Sequence, residues 1–246
     1  MKVLSPNLPQ GKVTLFAVSQ KHPDLINELE KLGAETVLVR DDAAFLPCEA
    51  DHPDMHIHHL GGNKIMLYKQ DKYLVDFFKN RGYDVVFSSD KKEIKYPKSA
   101  ALNACRIGNI ILYNDKCVDK KIIQYANQNN IEIVNCRQGY SRCAVCIVSE
   151  KAVITSDEAV FGALEGKIDV LKIERGNIKL FNSDDGMIGG CSSMVGKNTL
   201  AFYGDVSKHP DYIKISNFLN KNQVKHICLG DNDLTDVGTF IPLETC

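Results

Sequence analysis

The 246-residue chain has no tryptophan and no surplus of charge: 30 lysines and arginines stand against 31 aspartates and glutamates, for a net charge of −1. That balance excludes the basic footprint of a nucleic-acid binder and the polybasic face of a protein that docks on acidic lipid. No apolar run approaches the roughly 20 residues of a membrane span. The start, Met1 to Pro9, lacks the apolar core of a secretory signal and already contains Pro6 and Pro9. Gly-x-Gly-x-x-Gly, P-loop, Gly-x-Ser-x-Gly and His-Glu-x-x-His patterns are missing, so no nucleotide or other cofactor and no zincin-type metal is expected. The nine cysteines are odd in number, in a chain large enough to do without staples. They read as reduced thiols, mostly in the core, and the expected location is cytoplasmic. The expected partner is a small-molecule ligand, with no nucleic acid and no membrane.

What is present is a repeat. Lys64–Tyr68, Asn109–Tyr113, Lys151–Thr155 and Asn198–Phe202 are strand-length apolar runs, each opening on Lys or Asn, at a spacing of about 45 residues. Before each lies a small or alternating segment that reads as a first strand: Met55–Leu60, Ser99–Cys105, Ser141–Val148 and Ile188–Val195. After each come a polar turn and, in most copies, a helical stretch. In Ile213 to Leu219, for example, the apolar residues are Ile213, Ile215, Phe218 and Leu219. A third, β-branched run closes each copy: Tyr83–Phe87, Ile131–Val134, Ile168–Ile173 and Val224–Leu229.

A fifth copy is split between the ends. Lys12–Val18 is a second strand with nothing before it, followed by a helix to about Leu32 and the strand Thr36–Val39. Leu234–Leu243 is a first strand with nothing after it. Lys21-His22-Pro23-Asp24 recurs as Lys208-His209-Pro210-Asp211, with Pro and Asp suited to a helix start. Pairing the two ends completes the fifth unit and hides edge strands that an open array would expose. The expectation is α/β: one domain, residues 1–246, a five-fold pseudosymmetric propeller of strand-strand-helix-strand repeats.

This repeat pattern, over essentially the whole chain, resembles the pentein fold of the guanidino-group-modifying superfamily, which includes deiminases, dimethylarginine dimethylaminohydrolase and amidinotransferases. The resemblance implies a cysteine nucleophile, a histidine acid/base and carboxylates that clamp a planar cation. On the deiminase pattern His56, in Met55-His56-Ile57-His58, takes the acid/base place. His58 stands where the family has a carboxylate, and Asp54 is the substitute. The segment Thr235–Ile241 occupies the place of the family's cysteine strand without a cysteine. The Gly-Gly pattern comes one repeat earlier, in Gly189-Gly190-Cys191, which makes Cys191 the candidate nucleophile. The catalytic set is therefore Cys191, His56 and Asp54, with Asn103, Arg142, Asp236 and His58 as candidate substrate-binding residues around the pore.

Other readings of the same residues stay open. Asp51 to His59 holds four of the seven histidines, and on a strand His56, His58 and Asp54 share a face, a set that also suits zinc. Gly189–Ser193 is equally a crowded segment at the axis where only small residues fit. Cys143 and Cys146, with Cys136, read as core thiols on a strand. Three functions follow: a hydrolase or binder for a small amino-acid-like or guanidino compound; a non-catalytic pentein that binds a macromolecule in the manner of translation initiation factor 6; and a metal-binding domain at the histidine cluster.

Overall fold

Each of the repeated runs forms the middle strand of its own three-stranded sheet in a computed structural model, which describes residues 1–89, 91–93, 95–181 and 185–246. Strand β1 (Val13–Ser19), helix α1 (Pro23–Lys31) and strand β2 (Glu35–Val39) begin the chain. A helical turn, α2 (Pro53–His56), leads into β3 (Ile57–Gly61), β4 (Lys64–Leu67), α3 (Lys72–Asn80) and β5 (Asp84–Phe87). The third unit is β6 (Cys105–Ile107), β7 (Ile110–Tyr113), α4 (Lys120–Gln128) and β8 (Glu132–Asn135). The fourth opens on a second turn, α5 (Ser141–Ala144), then β9 (Cys146–Ser149), β10 (Ala152–Thr155), α6 (Glu158–Leu164) and β11 (Asp169–Lys172). The fifth has β12 (Ser192–Gly196), β13 (Thr199–Tyr203), α7 (Tyr212–Lys221) and β14 (Lys225–Leu229), and β15 (Ile241–Thr245) ends the chain.

In every sheet the first strand runs antiparallel to the middle one and the third runs parallel to it, across a helix. The split unit is completed as expected: β15 pairs with β1, Ala17 opposite Ile241 and Phe16 opposite Pro242. We number this shared sheet blade 1 and the others blades 2 to 5 in chain order.

Alternation along the strands explains closure. In β1, Leu15 and Ala17 pack with Ile57 and Leu67 of blade 2, whereas Phe16 and Val18 pack with Ala201 and Tyr203 of blade 5. Similar clusters join blades 2 and 3 through Met66 and Ile111, blades 3 and 4 through Leu112 and Val153, and blades 4 and 5 through Ile154 and Phe202. Every middle strand is thus buried on both faces, which is why these runs are continuously apolar. The five clusters complete a ring: a five-fold pseudosymmetric α/β propeller.

Two local expectations change. Ile213 is 67% exposed, and α7 buries Ile215, Phe218 and Leu219, because residues two apart cannot share a helix face. The Lys-His-Pro-Asp tetrads also differ: Pro23 begins α1 directly, whereas in the second copy Asp211 is the residue before α7. Among the described residues, no helix is long and apolar enough to cross a membrane.

Candidate active site at the propeller axis

Strands alone do not reach the axis. The segments read as whole first strands begin as turns: α2 before β3, α5 before β9, a 3-10 turn at Lys98–Ala100 ahead of β6, and a turn over residues 188–191 ahead of β12. The turns direct main-chain groups sideways, and these link neighbouring blades. Asp54 N donates to Gly238 O at 3.3 Å (blades 2 and 1) and Arg142 N to Asn103 O at 3.0 Å (blades 4 and 3). Gly190 N donates to Cys143 O at 3.0 Å (blades 5 and 4), and Thr239 N donates to Gly190 O at 2.8 Å (blades 1 and 5). At the remaining junction the Asn103 side-chain amide donates to Asp54 O at 3.4 Å. A circuit of buried hydrogen bonds therefore surrounds the axis.

Two glycines make room for the polar side chains. A Cβ at Gly190 would stand 1.8 Å from Asp236 Oδ1. Gly238 has φ +68° and lies against His52, whose Cβ is 2.2 Å from where a Cβ would be placed. Asp236 is held by Met187 N at 2.9 Å and Gly238 N at 3.0 Å.

Between these anchors, Cys143 Sγ donates to Asp54 Oδ2 at 2.7 Å. Asp54 Oδ1 is buried and has no partner. Potential ligand atoms of His52, Asp54 and Cys143 all lie within 4.8 Å of one another. Burial pushes the Asp54 carboxyl up to about 7, reinforced by the charge of Asp236 and opposed by the Cys143 hydrogen bond and Arg142. Burial, then Asp54 and Asp236, raises the Cys143 thiol well above its ordinary value. Burial lowers His52, against the pull of Asp236 and Asp51, and so favours neutral imidazole. The site opens into a cleft of about 170 Å³ lined by Glu49, His52, Met55, Tyr140, Cys143 and Asp236. Glu49 Oε1 is a second buried carboxylate oxygen without a partner.

Of the residues singled out in the sequence, Asp54, Asn103, Arg142 and Asp236 meet here. Arg142 is a brace: its guanidinium donates to Asn7 Oδ1, Val145 O, Gly189 O and Thr239 Oγ1, spanning blades 4, 5 and 1. His56 lies apart, with Nδ1 3.2 Å from Asp71 Oδ2, Nε2 2.9 Å from Ala50 O and its ring against Phe45. His58 Nδ1 is 3.2 Å from Leu102 O, and burial lowers this histidine to about 4. The two rings were expected on one strand face; they diverge because α2 ends at His56 and β3 begins at Ile57. Neither joins the one group of three or more metal-ligating residues found among the described residues. Cys191 is packed between blades 4 and 5 beside Cys146 and Phe202, where its thiol donates to Ile188 O at 3.3 Å.

Sequence reasoning missed His52 and Cys143. A signal existed for Cys143. Asp54 lies three residues before Ile57, which pairs with Leu67, and Cys143 lies three before Cys146, which pairs with Ile154. The two are equivalent positions of different blades. Hairpins of unequal length hide this equivalence when one counts from the Lys markers.

The fold is that of a pentein, the five-bladed α/β propeller. Within that class, the chain belongs to the family of unknown function DUF6873, whose profile matches residues 17–241. No curated protein matches by sequence. Among solved structures, it is similar to the inosamine-phosphate amidinotransferase StrB1 from Streptomyces griseus (11% identity, 100% of this chain and 97% of that one, TM-score 0.61). It is also similar to a cysteine-to-serine variant of Pseudomonas aeruginosa DDAH complexed with citrulline (8%, 93% and 96%, TM-score 0.59). A third is a cysteine-to-serine variant of C. jejuni agmatine deiminase with substrate bound (9%, 100% and 97%, TM-score 0.57). At these identities the likeness is one of fold.

Proposed function

We propose that the axial cluster binds a small planar cation of guanidino or amidino type and acts on it through Cys143. The observation that carries this reading is the Cys143 Sγ–Asp54 Oδ2 contact of 2.7 Å at the base of a cleft that also presents His52 and Asp236. A cation entering between Asp54 and Asp236 meets two carboxylates, one with a free oxygen, and its charge stabilises the neighbouring thiolate. Cys143 gives its proton to Asp54, whose carboxyl, raised to about 7, holds it at neutral pH. The sulfur then bonds to the central carbon of the cation. Collapse of that adduct breaks a C–N bond, and the departing amine takes the proton from Asp54. Neutral His52 next accepts a proton from water as the oxygen adds to the same carbon; the C–S bond breaks, the His52 proton goes to sulfur, and the remaining hydroxyl proton leaves to solvent as the C=O bond forms. The net reaction is hydrolysis to a ureido product and an amine. Asn103 and Arg142 position the loops that carry Asp54 and Cys143. His56, His58 and Cys191 support the site through packing. The nine free thiols suit a reducing, cytoplasmic setting.

The test is alkylation of the full chain at neutral pH by chloroacetamidine and by its neutral counterpart chloroacetamide, read by peptide mapping. The cation should label Cys143 at least about tenfold faster, a preference worth 1.4 kcal/mol, and Asp54→Asn should erase that preference. Equal rates for the two reagents would overturn the cation reading. Preference for the cation, with no turnover of any guanidino compound small enough for the cleft, would leave a binding protein.

A further inference from the structure

The same three side chains define a second chemistry, one that does not depend on the first. We propose that His52, Asp54 and Cys143 form a site for a single zinc-class divalent transition metal, open to the cleft on its fourth side. A histidine nitrogen, a carboxylate oxygen and a sulfur are the donor types that zinc takes. The donor atoms already lie within 4.8 Å of one another. Tetrahedral ligands at bond lengths of about 2.0–2.3 Å stand roughly 3.3–3.8 Å apart, so small rotations of buried side chains complete the geometry. Asp54 Oδ1, in a residue 1% exposed, has no hydrogen-bond partner. An unpaired buried oxygen such as Asp54 Oδ1 is costly unless something fills the space beside it.

The surroundings also fit. The three ligands come from two blades whose separation is fixed by the axial circuit, so the site is rigid before metal arrives. Asp236 adds a negative charge near the donors without using its oxygens on them, since both accept main-chain N–H groups. Binding exchanges the thiol proton for the metal: the S–H bond breaks, the proton goes to solvent and a metal–sulfur bond forms. A metal on sulfur occupies the electron pair that attack on carbon would need, so metal and planar cation exclude one another.

The experiment uses full-length protein stripped with a chelator and titrated with cobalt(II), whose bond to thiolate absorbs in the near ultraviolet. One equivalent should produce that band, and zinc should displace it. Cys143→Ser should lose the band, His52→Ala should weaken binding by roughly 100-fold, and Cys228→Ser, at an exposed thiol, should change nothing. Should a variant fail to fold, wild-type protein answers alone: one equivalent of zinc should block alkylation of Cys143 while Cys228 and Cys246 stay reactive. The site is refuted if no thiolate band appears, if the band survives in Cys143→Ser, or if zinc leaves Cys143 as reactive as before. The readouts separate the two proposals: zinc binding without a preference for chloroacetamidine leaves only the metal site, and the reverse leaves only the cation site.

Discussion

Cys143 and Cys191 sit in adjacent blades, each just before a first strand, each buried, and each with its thiol pushed well above the ordinary range. Burial and thiol acidity therefore do not tell them apart; the neighbours do. Cys191 donates to a carbonyl of its own turn and is surrounded by Cys146, Met194 and Phe202. Cys143 donates to a carboxylate from another blade, beside an imidazole, at the floor of a cleft. A buried thiol among apolar groups has nothing to receive its proton. One that faces a carboxyl near neutrality has a route to thiolate whenever a cation supplies the balancing charge.

The contrast breaks most completely at Gly190, whose amide reaches Cys143 O and whose carbonyl accepts from Thr239 N, in the segment that leads into β15. Gly190→Ala drives a methyl into the Asp236 carboxylate and should cost about 3 kcal/mol, measured by denaturant unfolding, with loss of any difference between the two thiols. The titration of Asp54 breaks that contrast in a second way. Its folded value, about 7, lies above the unfolded 3.8. The stability that the protonated carboxyl contributes is fully present below pH 3.8 and is lost as pH rises from there through about 7. Asp54→Asn should therefore gain on wild type between about pH 4 and pH 7, by up to about 1.4 kcal/mol per pH unit, with a constant gap above. His58 and His59, lowered to about 4 by burial, lose stability in the opposite direction as pH falls below their unfolded values. They do so in both proteins, so the difference isolates Asp54.

Cys191→Ala should cost about 1–2 kcal/mol and leave the alkylation rate of Cys143 unchanged. Cys143→Ser, which keeps a donor to Asp54, should change stability by less than about 1 kcal/mol and abolish labelling by chloroacetamidine at that position. The smallest effect belongs to the rim, where Lys2 and Arg81 pair with Glu244 on β15. Glu244→Gln should cost under about 1 kcal/mol and alter neither thiol.

The architecture was readable because its evidence is repetitive. Strands buried on both faces must be continuously apolar, and five such runs with two incomplete ends leave little choice but a ring. Asp54, Asn103, Arg142 and Asp236 were readable as polar residues in segments bound for the axis. Cys143 was not, because Ser141–Val148 has the composition of a strand, and only the crowding of five chains at the centre turns its first residues into α5. The His56-x-His58 spacing misled for a related reason: face-sharing at two-residue spacing holds only within one strand, and α2 ends between them.

The Arg142 brace has a kinetic meaning. It spans the axis from blade 4 to blades 5 and 1, and the space it leaves behind Asp54, beside Asn7 and His58, is about 20 Å³, room for one water. Among the described residues, the roomier approach to Cys143 is the cleft lined by Glu49, Tyr140 and Asp236, which a ligand and its product would share. For a reaction of the kind proposed, the amine has to vacate before the second reactant can approach the sulfur-bound carbon. For that reaction the expected order is ping-pong, with the first product competing for the cleft.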